Sequence, residues 1–329
     1  MHVTLQYVAS VLFTPLEPIC FRWYGIYTWL ATGPSSQAVS EPLPLPSTLL
    51  GALVYGLSIA SNRFSDIAKG SAKSIDNLLK DLIELLKACG CSCSDIVLRG
   101  PYIVSQRGLA LHIAGGCLLL IDGNNIEVVS PRRTVNRGTA LRRDTKSVVQ
   151  HMLYSIEYVD LIQILGEYSI AVDILCKESC KLVVKPIVMR LGSDGRAVKM
   201  SVDVLENSLA KNISKASSNL FYVASPVLVE PLHIETFINE GKIAIDNIQI
   251  SSLSRNELEH ILNVKRDTLI KHFRTKIQIL ATGYDILRNS LREMYPSIMP
   301  GSIIRINSID KEKLLKGLGK YSHAGWGTI

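Results

Sequence analysis

The sequence predicts an α+β fold of two closely packed domains that meet near residue 165. Strand-like segments separated by turn signals occur on both sides of that position, each side with a few helical stretches. No long proline- or serine-rich linker divides the halves, so the domains are expected to pack together. Apolar residues make up 47% of the 329, enough to bury a full core and to exclude global disorder.

Val3–Phe13 mixes β-branched and aromatic residues and reads as a strand. Pro34, Pro42, Pro44 and Pro46 mark a loop after it. Ser47 then reads as the N-cap of a short apolar helix, in which Gly51, Ala52 and Gly56 allow close approach of another element. Ile75, Leu78, Leu79, Leu82, Ile83 and Leu86 recur at helical spacing and predict an amphipathic helix over 74–88. From Asp95 to Val129 the chain reads as short strands broken at Gly100-Pro101, Gly115-Gly116 and Asp122-Gly123, the last a hairpin signal. Beyond 165, Tyr168–Cys176, Leu182–Met189, Leu220–Val229, Thr275–Ala281 and Ser302–Ile306 read as strands. Ser254 with Glu257 three residues on is a capping box opening a helix, and Asp310–Lys316 reads as helical.

Charge and cysteine usage narrow the class. Net charge is +7, a balance that favours polyanionic partners where the charge clusters. Seven cysteines, an odd number at irregular spacing, argue against a closed disulfide framework and fit a reducing compartment. Cys89, Cys91 and Cys93 alternate, and Cys176 and Cys180 stand four apart. With no histidine nearby in sequence, this pattern does not match the usual zinc spacing, and no metal is expected. No signal-peptide pattern opens the chain, and no apolar run reaches the roughly 20 residues of a membrane span, so a cytoplasmic protein without membrane contact is expected.

The charge does cluster. Arg132, Arg133, Arg137, Arg142, Arg143 and Lys146 crowd a stretch with Asp144 as its one acid and Thr139 in its middle. Arginine's planar fork suits phosphate oxygens and base stacking, and each phosphate neutralised releases counterions. Standing alone, such a run equally describes a solvated loop. Gly192, Gly195, Arg196 and Lys199 form a glycine turn with cations, either an ordinary turn or a nest for phosphate. The tail from Gly317 to Gly327, with Lys320 and His323, offers the same two readings and does not fit the nucleotide P-loop. For catalysis the candidates are His112, His151, Tyr154 and His323, without any hydrolase, zinc-protease or paired-carboxylate signature.

Taken in order, these pieces resemble one family, the RAMP proteins, RNA-binding subunits of CRISPR effectors. Pro44-Leu45-Pro46-Ser47-Thr48-Leu49-Leu50-Gly51-Ala52-Leu53 resembles their helix start "PST-x-x-GAL". Arg190-Leu191-Gly192-Ser193-Asp194-Gly195-Arg196 is similar to the "GG-E-GR" loop of the type III-B (Cmr) subunit that holds the guide's 5′ end, with Ser193-Asp194 standing where that family has Gly-Glu. Arg142-Arg143-Asp144-Thr145-Lys146 with Met152-Leu153-Tyr154 resembles its "R-x-T-x…LY" stretch. Pro300-Gly301-Ser302-Ile303-Ile304 resembles its "GS-v-y" strand, and the tail resembles the family's glycine-rich loop.

The resemblance implies two ferredoxin-like (RRM-like) domains of antiparallel sheet backed by helices, over 1–165 with a helical insertion and over 166–329 with the tail loop. It implies a non-catalytic subunit without cofactor in a hetero-oligomeric ribonucleoprotein for antiviral defence. Its partners would be the crRNA 5′ tag, the large polymerase/cyclase-like subunit and the backbone RAMP subunit. Ser47, Thr48, Arg132, Arg133, Arg137, Thr139, Arg142, Arg143, Lys146, Gly192, Gly195, Arg196, Lys199, Lys320 and His323 would meet the RNA. The rival is a RAMP endoribonuclease that processes precursor crRNA, with His151, Tyr154 or His323 as acid and base.

Overall fold

The computed structural model describes residues 5–23, 40–64, 74–123, 125–141, 148–178, 180–192, 195–215, 218–262, 267–285, 290–307 and 310–329. For 137–141, 148–155, 214, 267–269, 284–285 and 290–291 it describes the backbone alone.

β1 (Gln6–Pro15) opens the chain and leads to helix α1 (Pro46–Ala60). The N-cap of α1 is Leu45, not Ser47: Pro46 takes the first helical position, where its fixed φ suits the helix and its missing N–H costs nothing. Leu49, Leu50, Leu53 and Leu57 bury one face of α1. At Gly56 any Cβ would strike Met200 and crowd Met189, so this glycine permits the close approach expected of it, whereas Gly51 faces open space. Helix α2 (Ile75–Ala88) is capped by Ser74, whose hydroxyl accepts from the Asn77 N–H at 3.2 Å. It buries Ile75, Leu79, Leu82 and Leu86 at the predicted spacing.

The strands that follow are β2 (Ile96–Ser105), β3 (Gly108–Ile113), β4 (Cys117–Asp122), β5 (Asn125–Val129), β6 (Arg132–Leu141) and β7 (Val148–Asp160). After a one-turn helix, α3 (Ile162–Leu165), come β8 (Tyr168–Cys176), β9 (Ile187–Leu191) and β10 (Arg196–Asp203). Seven of these and β1 form one eight-stranded sheet in the order β5-β4-β3-β2-β8-β1-β10-β9, with antiparallel neighbours throughout. Gly100-Pro101 does not end a strand. β2 runs through it, and the register against β8 shifts between Arg99 and Tyr102, as at a bulge.

The centre of this sheet is a split βαβ unit: β1 crosses through α1 and α2 to β2, and β8 inserts between the two strands. β8 is buried along almost its whole length because both faces are covered. Ile170, Val172 and Ile174 meet α1 and α2 in the main core. Ala171 and Asp173 point to the other face, as alternation requires. Strands from 168–203 therefore complete a sheet begun at residue 6, so residue 165 does not separate the sheets and the change comes after Asp203.

Helix α4 (Leu209–Lys215) follows. The later strands are β11 (Leu220–Tyr222), β12 (Val227–Leu228), β13 (Lys242–Ile245), β14 (Ile248–Ser252), β15 (Ile277–Ala281), β16 (Tyr284–Asp285), β17 (Ser290–Leu291), β18 (Met294–Ile298) and β19 (Ile303–Ile306). Among them lie α5 (Pro231–Glu240), α6 (Arg255–Leu262) and α7 (Asp267–Phe273), and α8 (Lys311–Lys316) follows β19. They form sheets β11-β19-β14-β13 and β12-β18-β15 around a second core of Phe221, Phe237, Ile250, Ile304 and Leu314. Leu220–Val229, expected as one strand, is two strands in different sheets.

The cysteines depart from expectation. Cys91 pairs with Cys180 and Cys93 with Cys176 as disulfides, because the loop after α2 lies against the end of β8. Among the described residues no helix is long and apolar enough to cross a membrane.

Candidate RNA interface

β6 and β7 form a two-stranded sheet of their own, so the basic segment begins as one strand of a ribbon. Arg132 lies opposite Asp160, Arg137 opposite Ser155 and Thr139 opposite Leu153. Arg142, Arg143 and Lys146 lie outside the described residues. The ribbon is anchored at its base, where Ile19 and Val159 exchange backbone hydrogen bonds at 3.2 and 2.8 Å. The Ser40 N–H donates to Glu157 at 3.1 Å. Arg133 serves this anchorage: its guanidinium donates to the Ser40 carbonyl at 2.9 Å, to the Gly116 carbonyl at 3.2 Å and to Glu157. Arg132, one residue earlier, is exposed.

The Gly192–Arg196 turn sits against the same base. A Cβ at Gly192 would approach the Cys20 carbonyl to 2.7 Å and the Phe21 ring to 3.3 Å, and its φ is +85°, so glycine is required there. Gly195, at φ +61°, closes the turn with its N–H on the Gly192 carbonyl. Arg196 stacks over the Tyr158 ring of β7 at 4.1 Å and donates to Glu17 at 2.7 Å. Glu17 is held below the usual carboxylate range, first by the Ala197 N–H and then by Arg196. Arg190 and Lys199 are exposed. The turn and the ribbon base thus form one surface through residues 19–21 and Tyr158.

A second grouping forms at the start of α1. Ser47 is half-buried and Thr48 exposed. A Cβ at Gly283 would stand 3.6 Å from Ser47 Oγ and 3.5 Å from Arg292 Cδ, while one at Gly325 of the tail would stand 3.6 Å from Pro46. Sequence reasoning missed Arg292, which lies in no motif and reaches this place only through the fold.

The glycine tail is a clasp on the large sheet. Ala324 bridges Leu98, and the Leu98 N–H donates to the His323 carbonyl at 2.9 Å. Arg99, fully buried in β2, donates to the Leu315 carbonyl at 2.5 Å and the Ser322 carbonyl at 2.9 Å. Desolvation pulls its pKa down to about 9. Gly327 has φ +62°, and a Cβ there would strike the Leu318 backbone. Lys320 lies over Tyr295 at 4.4 Å, donates to its hydroxyl and sits 3.8 Å from Glu230. His323 pairs with Asp76 at 3.8 Å. Of the two tail side chains expected to meet RNA, Lys320 is thus engaged within the protein, whereas the His323 side chain stays about half exposed.

Of the acid–base candidates, His112 is fully buried, with Nε2 2.8 Å from a Glu41 oxygen and its ring edge-on to Trp23 at 4.4 Å. That is a core pair closed to substrate. His151 and Tyr154 lie on the first part of β7, residues 148–155, where the backbone alone is described.

No protein-family model matches the chain. The fold is shared with chains of a type III-B CRISPR effector. A chain in the cryo-EM structure of the Type III-B Cmr-beta bound to cognate target RNA and AMPPnP superposes with a TM-score of 0.53, at 17% identity, over 93% of this chain and 87% of that one. A chain in Cmr-beta bound to cognate target RNA gives 0.53 at 18% identity, over 90% and 86%. In sequence the chain is similar to the CRISPR system CMR subunit Cmr3 of Saccharolobus solfataricus, 22% identical over 342 aligned positions, covering 97% of this chain and 95% of that protein. The resemblance read from the sequence motifs therefore holds from end to end.

Proposed function

We propose that this chain is the Cmr3-like subunit of a type III-B Cmr effector, holding the repeat-derived 5′ tag of the crRNA without cutting it. The seating of the Gly192–Arg196 turn on the base of the β6–β7 ribbon carries the proposal, because it merges two basic segments far apart in sequence. Arg132, Arg190 and Lys199 are its exposed cations. Arg137 and Thr139 follow on β6, and Arg142, Arg143 and Lys146, next in the sequence, are assigned to the RNA from the family resemblance alone. Arg133 and Arg196 shape the surface, while Ser47 and Thr48 add donors at the start of α1. Lys320 and His323 act through the tail they hold.

On this reading the β10–β1–β8–β2 order is the first of two ferredoxin-like (RRM-like) units, and the strands from 220 onward carry the second. The tag is single-stranded, so phosphate contacts and stacking do the holding, while base pairing elsewhere on the guide reads the target. The large polymerase/cyclase-like subunit and the backbone RAMP subunit would flank this chain in the complex.

Fluorescence anisotropy with tag-bearing RNA tests the assignment. The double variant Arg132→Ala with Lys199→Ala should reduce the slope of log affinity against log salt by about 1.4, since each single-strand phosphate contact contributes about 0.7. An unchanged slope would remove these residues from the interface. Repeat RNA incubated with the purified chain and chelator should stay intact. Specific cleavage abolished by His151→Ala would establish the endoribonuclease instead.

A further inference from the structure

The four cysteines that the fold collects at the end of β8 form a group with its own chemistry. Cys91 and Cys93 lie in the loop that leaves α2, while Cys176 ends β8 and Cys180 follows four residues on. Cys91, Cys93 and Cys176 are fully buried, and Cys180 is half-buried. The disulfide pairs Cys91–Cys180 and Cys93–Cys176 do not stand apart. The sulfurs of Cys91, Cys93 and Cys180 lie within 4.8 Å of one another, Cys93 Sγ being 3.2 Å from Cys91 Sγ and 3.7 Å from Cys180 Sγ, while Cys176 Sγ lies beside Cys93 and 2.9 Å from a Glu178 oxygen. Cys89, although it continues the alternation, is not among them.

We propose that in the reduced protein these four thiolates hold one structural zinc ion. Structural zinc sites are closed tetrahedra, commonly of four cysteines supplied as short-spaced pairs from two chain segments. Here the pairs are Cys176-x3-Cys180, within the usual gap of two to four residues, and Cys91-x-Cys93, one residue tighter than that gap. With a zinc–sulfur bond of about 2.3 Å, the edge of a sulfur tetrahedron is about 3.8 Å. The Cys93–Cys180 separation is already close to that value, and the Cys91–Cys93 separation is somewhat shorter. The Cα atoms of the two disulfide pairs are 5.0 and 5.9 Å apart, so side-chain rotation opens the remaining edges.

The backbone around the group is fixed. The Cys91 N–H donates to the Leu86 carbonyl and the Cys93 N–H to the Cys91 carbonyl, both at 2.9 Å. Glu178 ties the two segments by accepting from the Ser94 N–H at 3.3 Å and from its hydroxyl. Lys177, which follows Cys176, is ion-paired with Asp95 at 3.0 Å, and Lys181 follows Cys180. Such a site would pin the end of α2 to the end of β8, just ahead of β9 and the Gly192–Arg196 turn.

The test is metal analysis of the full chain, purified under reducing conditions without chelator or metal-affinity resin. About one zinc per chain is expected, falling at least about tenfold in Cys93→Ser or Cys180→Ser and unchanged in Cys89→Ser. Cobalt(II) added to the metal-free, reduced wild-type chain should give intense thiolate charge-transfer and tetrahedral ligand-field bands. This second measurement decides the matter even where the serine variants fail to fold. A reduced, folded chain that carries no zinc and gives no sulfur-ligated cobalt spectrum would overturn the site. In that case, peptide mapping that recovered both disulfides would assign the cysteines to covalent pairing alone.

Discussion

At the scale of single residues, burial separates arginines that look alike in sequence. Arg132 and Arg133 are adjacent, yet Arg133 saturates three acceptors at the ribbon base while Arg132 faces solvent. The charge run was therefore legible, but its division of labour was not, because alternation along β6 decides which side chain turns inward. Arg99 gave no sequence signal at all. It is a lone arginine in an apolar strand, and besides the neighbouring Leu98 carbonyl its partners, the Leu315 and Ser322 carbonyls, lie more than two hundred residues away. Replacing Arg99 with Met should strip the Leu315 carbonyl of the arginine donor and leave the Ser322 carbonyl only the Gly325 N–H, lowering stability by about 2 kcal/mol, at roughly 1–3 kcal/mol per unsatisfied buried group. Chemical denaturation measures this, and an unchanged midpoint would show that the tail is held by other contacts. Gly327→Ala places a Cβ in a left-handed backbone position against the Leu318 backbone. It should cost at least the 1–3 kcal/mol typical of such strain, read in the same denaturation experiment.

At the scale of elements, local chemistry was read well wherever the cap or the period is local. Ser74 and the leucines of α2, the Asp122-Gly123 hairpin between β4 and β5, and the Ser254–Glu257 capping box all stand as expected. In the capping box Glu257 also accepts from Arg305 at 2.9 Å. Its pKa falls to about 2, first through the Ser254 N–H and hydroxyl and then through Arg305. A lowered carboxylate pKa stabilises the fold above the ordinary glutamate value near 4.3, and the gain is lost as pH falls toward about 2. The thermal midpoint difference between wild type and Glu257→Gln should therefore be largest above about pH 5 and shrink as pH approaches 2. A difference independent of pH would mean that the carboxylate charge plays no part in the cap. Elements were misread where distant strands decide the outcome. Gly100-Pro101 looked like a break, but β8 pairs with β2 on both sides of it. Ser47 looked like a cap, but Leu45 is the cap and Pro46 starts the helix, two residues earlier than a Ser47 cap implies.

At the scale of the molecule, the α+β class was legible from strand and helix patterns, but the partition at residue 165 was not. β8 belongs between β1 and β2, a pairing that no local signal announces. The same long-range closure gathers the four cysteines and seats the Gly192–Arg196 turn on the β6–β7 ribbon. Motif order along the chain supplied what periodicity could not, and the likeness to Cmr3 spans the same length. The central claim is that this fold presents one basic surface to the 5′ end of a guide RNA. Sequencing the RNA that co-purifies with the chain and its partner subunits tests it most directly. The account predicts RNAs sharing one repeat-derived 5′ end, with that common end depleted when Arg132 and Lys199 are reversed to glutamate. Bound RNAs with scattered 5′ ends, or a common end that survives the charge reversal, would contradict it.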